Sequence, residues 1–200
     1  MKLVLASKNK GKLRELQAML RDTPVEVLLE SQVGIDLEVE ETGTTFEENS
    51  RLKAMAVMQA SGLPAIADDS GLVVDALDGA PGVYSARYGG LDSDAARTAY
   101  LLKNMEQVPN DRRTARFVSV ITACFPDGRE IQVRGECEGI ITREVRGDGG
   151  FGYDPIFLVP SLGQTFGELP AEEKNQISHR AKALERFTEQ LNKELQYADK

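Results

Sequence analysis

Two adjacent acids stand between apolar segments near residue 70. Asp68 and Asp69 follow the run from Pro64 to Ala67, and a second apolar run begins at Leu72. Carboxylates at a strand end suit a hard cation such as Mg²⁺, which takes one or two of them and completes its shell with water and phosphate oxygens. Neighbouring residues of a strand point to opposite faces, so only one of the two acids is central to any one site. Paired acids before Ser-Gly are also common turn formers, and that interpretation stays open on these residues alone.

A lysine-rich loop follows the apolar run of residues 2–6, and leucines at helical spacing come after it. A loop that leads from a strand into a helix presents free backbone N–H groups and the positive end of the helix dipole, which favours a phosphate group. The loop lacks the G-x-x-x-x-G-K-S/T spacing of a Walker A motif, and most lysine-rich loops are solvated surface. Its residues are Ser7, Lys8, Asn9, Lys10, Gly11 and Lys12.

A further cation lies on a predicted helix. Thr45 and Glu48 form the pattern of a capping box, which predicts a helix from Phe46 to about residue 60. Asn49 and Lys53 are four residues apart and therefore share a face of that helix. Lys53 is a candidate ligand of an anion, although most helical lysines simply point to water.

A glycine-rich segment over residues 147–155 is a candidate base-binding loop. Its glycines allow the backbone to approach a ligand closely, while the ring of Phe151 offers a flat surface for stacking. A flexible loop whose aromatic residues fill the core is an equally good interpretation of these residues. The candidates here are Phe151, Gly152, Tyr153 and Asp154.

The last polar group comprises Lys174, His179 and Arg180. His179 is the single histidine of the chain, which excludes a multi-histidine metal site and makes zinc an unexpected metal. The chain also has no G-x-S-x-G nucleophile motif.

Charge and composition narrow the class of protein. The chain has 200 residues and a formal net charge of −8, so its average field repels polyanions, and nucleic-acid binding is not expected. No apolar run approaches the roughly 20 residues that span a bilayer, and the short apolar start does not fit a signal peptide. We therefore expect a cytoplasmic protein without a membrane partner, whose two cysteines are reduced and buried.

Strands and helices alternate along the whole sequence, which predicts an α/β fold with a mixed sheet in a single domain over residues 1–200. Two short strands are expected around Asp68-Asp69-Ser70-Gly71. The other predicted elements are a helix from Ser93 to about 105, a hairpin of 116–125 with 129–137, a strand at 156–159 and a C-terminal helix capped by Ser178.

Taken together, these segments resemble the inosine/xanthosine triphosphate pyrophosphatase family. The matching motifs occur in family order and span residues 3 to 180, whereas 89–113 carries little family signal. The motifs are Ser7-x-Asn9-x-x-Lys12; Glu41-Thr42-Gly43 with Phe46, Glu48-Asn49 and Lys53; Ala67-Asp68-Asp69-Ser70-Gly71-Leu72; Pro81-Gly82-x-Tyr84-Ser85-Ala86-Arg87; Gly149-Gly150-Phe151-Gly152-Tyr153-Asp154-Pro155; and Glu173-Lys174 with Ile177-Ser178-His179-Arg180.

The resemblance implies a long, twisted, mixed β-sheet flanked by helices, in two lobes with a central cleft. It implies that the protein hydrolyses dITP, ITP or XTP to the monophosphate and pyrophosphate, which removes non-standard purine nucleotides from the nucleotide pool. It also implies a Mg²⁺ cofactor and a homodimer.

The resemblance further assigns roles to individual residues. The Ser7–Lys12 loop and Lys53 hold the triphosphate, and Ser70 contacts the substrate. Asp69 acts with the metal to position and deprotonate the attacking water, with Glu40 or Glu41 as the second metal ligand and Asp68 as a structural neighbour. Phe151 stacks on the base in a pocket lined by Gly152, Tyr153 and Asp154, whose edge is read by Lys174, His179 and Arg180.

Base selectivity follows from hydrogen-bond matching. Hypoxanthine and xanthine carry a carbonyl at position 6, where adenine carries an amino group. A fixed donor from Arg180, His179 or a backbone N–H pairs with the carbonyl but faces another donor in adenine, which rejects it by roughly 10⁴-fold or more. The alternatives are a pyrophosphatase with a different base preference and a nucleotide sensor without catalysis.

Overall fold

The computed structural model describes residues 1–8 and 10–198, apart from the side chains of Glu15 and of residues 196–198. Within this part of the chain, seven strands form a single sheet. The strands are β1 (Lys2–Leu5), β2 (Glu26–Leu29), β3 (Ala65–Val74), β4 (Thr114–Cys124), β5 (Glu130–Ile141), β6 (Phe157–Val159) and β7 (Gln164–Thr165). The α-helices are α1 (Lys10–Leu20), α2 (Phe46–Ser61), α3 (Asp94–Asn104), α4 (Ala171–Ile177) and α5 (His179–Ala198).

The sheet is mixed, as the sequence predicts. Its strand order is β2-β1-β3-β4-β5-β6-β7. β1 runs parallel to both β2 and β3, with Val4 opposite Ala65, while β6 runs antiparallel to β5 and β7. Because parallel strands require a crossover connection, α1 lies between β1 and β2, and α2 precedes β3. The α/β class is therefore confirmed.

The chain divides into two compact units. The first unit comprises Met1–Asp69, Ser119–Gly135 and Lys182–Lys200, and the second comprises Ser70–Val118 and Glu136–Ala181. Each unit has a buried apolar core of its own, and the burial of that core stabilises the unit. The single domain over residues 1–200 stays a prediction.

In the first unit, leucines of β1 and α1 pack with α5. Leu3, Leu16 and Phe187 are at most 3% exposed. In the second unit, the core is built around Phe117, Phe157 and Phe166, whose ring centroids lie 4.6 to 5.7 Å apart. Such tilted and stacked rings fix side-chain directions more strongly than aliphatic contacts do.

Helix α2 begins at the predicted capping box. The Thr45 hydroxyl accepts a hydrogen bond from Glu48 N–H at 3.1 Å, and the Glu48 carboxylate accepts the Thr45 N–H at 3.2 Å. The helix ends at Gly62, which has φ of 66° and donates its N–H to the Met58 carbonyl. The termini of the helix that carries Lys53 are therefore fixed by local sequence alone.

The remaining predictions are largely confirmed, with one correction. Ser93 caps α3 and Ser178 accepts the Ala181 N–H at the start of α5. The two short strands expected around Asp68 and Asp69 are wrong, because β3 runs unbroken from Ala65 to Val74. Both acids can lie inside a strand since their side chains find cationic partners, as described below.

Both cysteines are free and buried, as expected. None of the helices in residues 1–8 and 10–198 combines the length and the apolar character needed to cross a bilayer.

Candidate active site

Two carboxylates of the first unit converge on one lysine. The Lys53 ammonium of α2 donates to Asp69 Oδ1 of β3 at 2.9 Å and to Glu41 Oε1 at 2.8 Å. It also donates to the Asp68 backbone carbonyl at 3.1 Å. A single cation thus ties helix α2 to β3 and to the loop that precedes the helix.

This cluster is largely removed from water. Asp69 is 7% exposed, and the Lys53 side chain is 17% exposed. Burial raises the pKa of the Asp69 carboxyl, and the nearby Lys53 ammonium opposes that rise without cancelling it. For Lys53, burial lowers the pKa, but the two carboxylates outweigh it and the pKa is raised overall. Lys53 therefore remains a cation, and Asp69 has the raised basicity that suits a proton acceptor.

Asp68 faces different partners from its neighbour. Its Oδ2 lies 3.1 Å from the Lys12 ammonium of α1, and its Oδ1 accepts the Ser119 hydroxyl of β4 at 3.0 Å. Successive strand residues point to opposite faces, so the two acids divide between two lysines. The structural role expected for Asp68 agrees with these contacts.

The predicted phosphate loop follows β1 and precedes α1. Ser7 donates its N–H to the Leu5 carbonyl at 2.8 Å, and Lys10 and Gly11 form the first turn of α1. Lys8 makes an exposed ion pair with Asp36 at 2.6 Å. Asn9, a predicted substrate contact, lies outside the described residues. The loop therefore leads into a helix N-terminus, as the phosphate-binding prediction requires.

Two acids of the cluster have the ligand chemistry that Mg²⁺ prefers. Glu41 Oε1 and Asp69 Oδ1 both lie within hydrogen-bond reach of Lys53 Nζ, so their lone pairs already converge on a cation position. Glu40 is exposed, and the structure places its neighbour Glu41 in the cluster instead. The described residues hold no group of three or more His, Cys, Asp or Glu side chains that could bind a metal by themselves. Two carboxylates with water and phosphates are what Mg²⁺ commonly uses.

The glycine-rich loop of the second unit is organised around a buried ion pair. Asp154, only 2% exposed, pairs with the Lys174 ammonium and also accepts the Phe151 N–H at 2.9 Å. Lys174 Nζ lies 4.5 Å from the centroid of the Phe151 ring, within the range of a cation–π contact. Burial raises the pKa of the Asp154 carboxyl, and the Lys174 ammonium opposes that rise. The Phe151 ring itself is 61% exposed and free to stack on a ligand.

Tyr153 anchors the same loop from inside. Its hydroxyl donates to the Ser85 carbonyl at 2.8 Å, and the Ser85 hydroxyl accepts the Leu72 N–H at 2.9 Å. Burial raises the pKa of Tyr153, so the phenol keeps its proton and remains a donor. Tyr153 is 4% exposed and is thus engaged in the fold rather than presented to a ligand.

Two further predicted residues, His179 and Arg180, form the start of α5, and a third, Ser70, contacts Arg180. The His179 ring stacks on Phe117 at a centroid distance of 4.9 Å and an interplanar angle of 14°. The Arg180 guanidinium donates to Ser70 Oγ at 3.5 Å. The aromatic core of the second unit therefore fixes the direction of His179, and Arg180 reaches the residue that follows Asp69 in the sequence.

Within each unit, the structure brings several of the predicted residues together. The first unit joins Lys12 to Asp68 and Lys53 to Asp69, and the second joins Phe151, Asp154 and Lys174. Sequence reasoning missed Ser119, although a hydroxyl in the largely apolar run of β4 is a signal that could have found it. It also missed two residues of α3 that contact Gly152, since 89–113 carries little motif signal.

Comparison with known proteins gives close relatives over almost the full length. The chain is 53% identical over 194 residues to a dITP/XTP pyrophosphatase of Desulforamulus reducens, covering 96% of each chain. It is also 53% identical over 184 residues to a dITP/XTP pyrophosphatase of Geobacter sulfurreducens, covering 92% of each.

Two solved structures are also similar to this chain over nearly its whole length. A HAM1 protein from Coxiella burnetii has a TM-score of 0.92 and 43% identity, with 96% of this chain and 99% of that chain covered. The Staphylococcus aureus Ham1 protein has a TM-score of 0.91 and 42% identity, with 97% and 100% covered. The family model described as the Ham1 family matches residues 3–190. This match extends over nearly the whole sequence, and the chain therefore belongs to the Ham1 family.

Proposed function

We propose that this protein hydrolyses dITP, ITP and XTP to the nucleoside monophosphate and pyrophosphate, and so removes non-standard purine nucleotides from the nucleotide pool. The substrate class is supported by relatives at 53% identity that are named dITP/XTP pyrophosphatases. One observation of the site carries the mechanism: the Lys53 ammonium lies between the carboxylates of Asp69 and Glu41.

The chemistry is a displacement at the α-phosphorus. Water attacks the α-phosphorus, the bond from that phosphorus to the bridging oxygen of the β-phosphate breaks, and pyrophosphate leaves. Asp69 orients the water and takes its proton. Lys12, Lys53 and the backbone of the loop before α1 stabilise the charge that develops on the departing phosphates.

Glu41 and Asp69 are the proposed ligands of Mg²⁺. Glu40 is the alternative to Glu41 as the second ligand. When bound, the ion supplies positive charge to the phosphate oxygens. Removal of divalent ions with EDTA is expected to abolish pyrophosphate release, and addition of Mg²⁺ to restore it. Full activity in EDTA would contradict the metal assignment.

Base recognition is assigned to the second unit. Phe151 stacks on the purine, and the polar edge of the base is read by side chains rather than by the loop backbone. The Phe151 and Gly152 N–H groups are already engaged by the carboxylates of Asp154 and Asp94. Arg180 is the proposed donor for the carbonyl at position 6, with His179 and Lys174 in the same sequence motif.

A pyrophosphate-release assay with Mg²⁺ tests this function. The panel comprises ITP, dITP, XTP, GTP, ATP and dUTP, and we expect fast release from the first three only. Equal rates on GTP and ITP would contradict the specificity, preference for dUTP would indicate a different base class, and no release from any would indicate a nucleotide sensor.

A matched pair of variants assigns the chemistry to Asp69. Asp69→Asn keeps the size of the side chain and is expected to lower kcat by roughly 10²-fold or more. Asp22→Asn changes an exposed acid of the same unit and is expected to retain wild-type kcat. Near-normal turnover by Asp69→Asn would contradict its role.

We further propose that the enzyme is a homodimer of the cytoplasm. The proposal rests on the family resemblance. Sedimentation equilibrium is expected to give twice the chain mass, and a monomer mass at micromolar concentration would contradict it.

A further inference from the structure

Helix α3 contacts the glycine-rich loop at a single residue, Gly152. The Asp94 carboxylate accepts the Gly152 N–H, with Oδ2 and N 2.7 Å apart. The Thr98 hydroxyl donates to the Gly152 carbonyl oxygen at 3.2 Å. Asp94 and Thr98 are four residues apart and share a helix face. One face of α3 therefore engages both backbone polar groups of Gly152.

Gly152 has no side chain of its own to restrain it, so these two hydrogen bonds are an important constraint on its backbone. Its φ is +60°, in the left-handed region, yet an added Cβ would meet no atom within 4 Å. A glycine in open space keeps the widest conformational freedom of any residue. Gly150, two positions earlier, also has a positive φ of 73°. The exposed Phe151 thus lies between two glycines with positive φ.

Each peptide group that flanks Phe151 is held by a carboxylate. The Phe151 N–H, in the peptide before the residue, donates to Asp154 Oδ2 at 2.9 Å. The Gly152 N–H, in the peptide after it, donates to Asp94 Oδ2. Fixing both peptide planes restrains φ and ψ of Phe151 and hence the direction of the Cα–Cβ bond that carries its ring.

The α3 side of this arrangement is itself well anchored. The Ser93 hydroxyl caps the helix by accepting the Ala96 N–H at 3.2 Å. Arg97 forms an ion pair with Asp94 and donates to the Leu91 carbonyl at 2.7 Å. The pKa of the Asp94 carboxyl is held below its usual value, chiefly by the hydrogen bond from the Gly152 N–H. The acid is therefore charged at neutral pH. Thr98 is 4% exposed.

We propose that Asp94 and Thr98 are positioning residues that hold the Phe151 ring in the orientation required to stack on the purine base. This role rests on the proposed function, because it assigns the ring a purine ligand. Neither side chain reacts with the substrate. Both act through the Gly152 backbone, and the N-terminal part of α3 becomes part of the specificity machinery.

Steady-state kinetics on ITP tests the proposal. We expect Asp94→Ala with Thr98→Val to raise KM by roughly tenfold or more, since two hydrogen bonds to the loop are lost. The kcat is expected to stay within about twofold, because the substitutions leave the acids and lysines of the phosphate site intact. Thr98→Ser keeps the hydroxyl and is expected to keep the wild-type KM.

Asp92→Asn provides the matched control. It removes the same charge from an exposed position two residues before Asp94, and we expect wild-type KM and kcat. A fall in kcat as large as the rise in KM in the double variant, together with a lower unfolding temperature, would indicate a merely structural role and overturn the proposal.

Fluorescence gives a readout that does not depend on turnover. The chain contains no tryptophan, so Phe151→Trp introduces a single indole at the stacking position. We expect IMP to quench this indole, and we expect Asp94→Ala with Thr98→Val in the same background to lower its anisotropy and weaken the quenching at least several-fold. Unchanged anisotropy and unchanged affinity for IMP would overturn the positioning role.

The two sets of results separate the possible failures. A wild-type protein that cleaves no purine triphosphate contradicts the proposed function, whatever the anisotropy shows. A wild-type protein that cleaves ITP, with a double variant of unchanged KM, contradicts the positioning role alone.

Discussion

The Lys53 ammonium of α2 lies 2.9 Å from Asp69 Oδ1 of β3, and Glu41 is its second carboxylate partner. Capping at Thr45 sets where the helix begins, and the position of Lys53 two turns later follows from that start. The pair thus depends on a capping signal at the start of the helix that carries Lys53.

Lys53→Met is expected to lower kcat/KM by roughly 10²-fold or more, because the substrate phosphates lose a buried cation. It also leaves the buried Asp69 carboxylate without its ammonium partner, which we expect to cost about 1–3 kcal/mol of unfolding free energy. Steady-state kinetics and urea unfolding measure the two effects. Arg51→Met is the control, since it removes a half-exposed cation two residues earlier on α2. Equal losses in both variants would contradict a specific role for Lys53.

The capping box predicts a pH dependence of stability. The Thr44 N–H, followed by the Thr44 hydroxyl, lowers the pKa of Glu48 in the folded protein. A lowered folded-state pKa adds stability above the unfolded-state pKa, and this stability is lost as the pH falls through the folded-state pKa. Glu48→Gln is therefore expected to be less stable than wild type above about pH 5 and to approach it by about pH 3.

Urea unfolding at a series of pH values measures this difference. Glu185→Gln, at an exposed position of α5 outside the capping box, is the control and is expected to show little difference from wild type. A wild-type advantage over Glu48→Gln that grows toward acid pH would contradict the assigned sign.

Gly150 is required for a steric reason that Gly163 does not share. Both have positive φ, 73° and 67°. An added Cβ at Gly150 would lie 2.9 Å from Asp154 Cγ and closer still to its carboxylate, whereas at Gly163 it meets nothing within 4 Å. We expect Gly163→Ala to cost about 1 kcal/mol from backbone strain alone. Gly150→Ala adds a collision with the buried acid and is expected to cost about 2–4 kcal/mol.

The KM for ITP is expected to differ between variants of the same two glycines. Gly150→Ala displaces the loop that carries Phe151 and is expected to raise KM at least about tenfold, while Gly163→Ala leaves it unchanged. Similar KM values for the two variants would contradict the assignment of this loop to base binding.

Much of the fold follows from local signals. The capping residues Thr45, Ser93 and Ser178 locate three helix starts, because each cap depends on residues within one turn. The strand break expected at Asp68-Asp69 is wrong, because partners from α1, α2 and β4 stabilise both acids within β3. Those partners are distant in sequence, so spacing near residue 70 contains no information about them.

The residues of the candidate site also divide into those that the sequence indicates and those that only the structure shows. The motifs of the sequence include Asp69, Lys53 and the Phe151 loop, because these residues carry the characteristic chemistry. They do not include Asp94 or Thr98, which act through the backbone of Gly152. A residue that acts on the site through main-chain atoms leaves no distinctive pattern of its own, so geometry is needed to find it.

The central claim is that water attacks the α-phosphorus and that pyrophosphate departs intact. Hydrolysis of ITP in ¹⁸O-labelled water, with the products analysed by mass spectrometry, tests it most directly. The account predicts one ¹⁸O atom in the phosphate of IMP and none in pyrophosphate. Label in pyrophosphate, or release of orthophosphate with IDP, would contradict it.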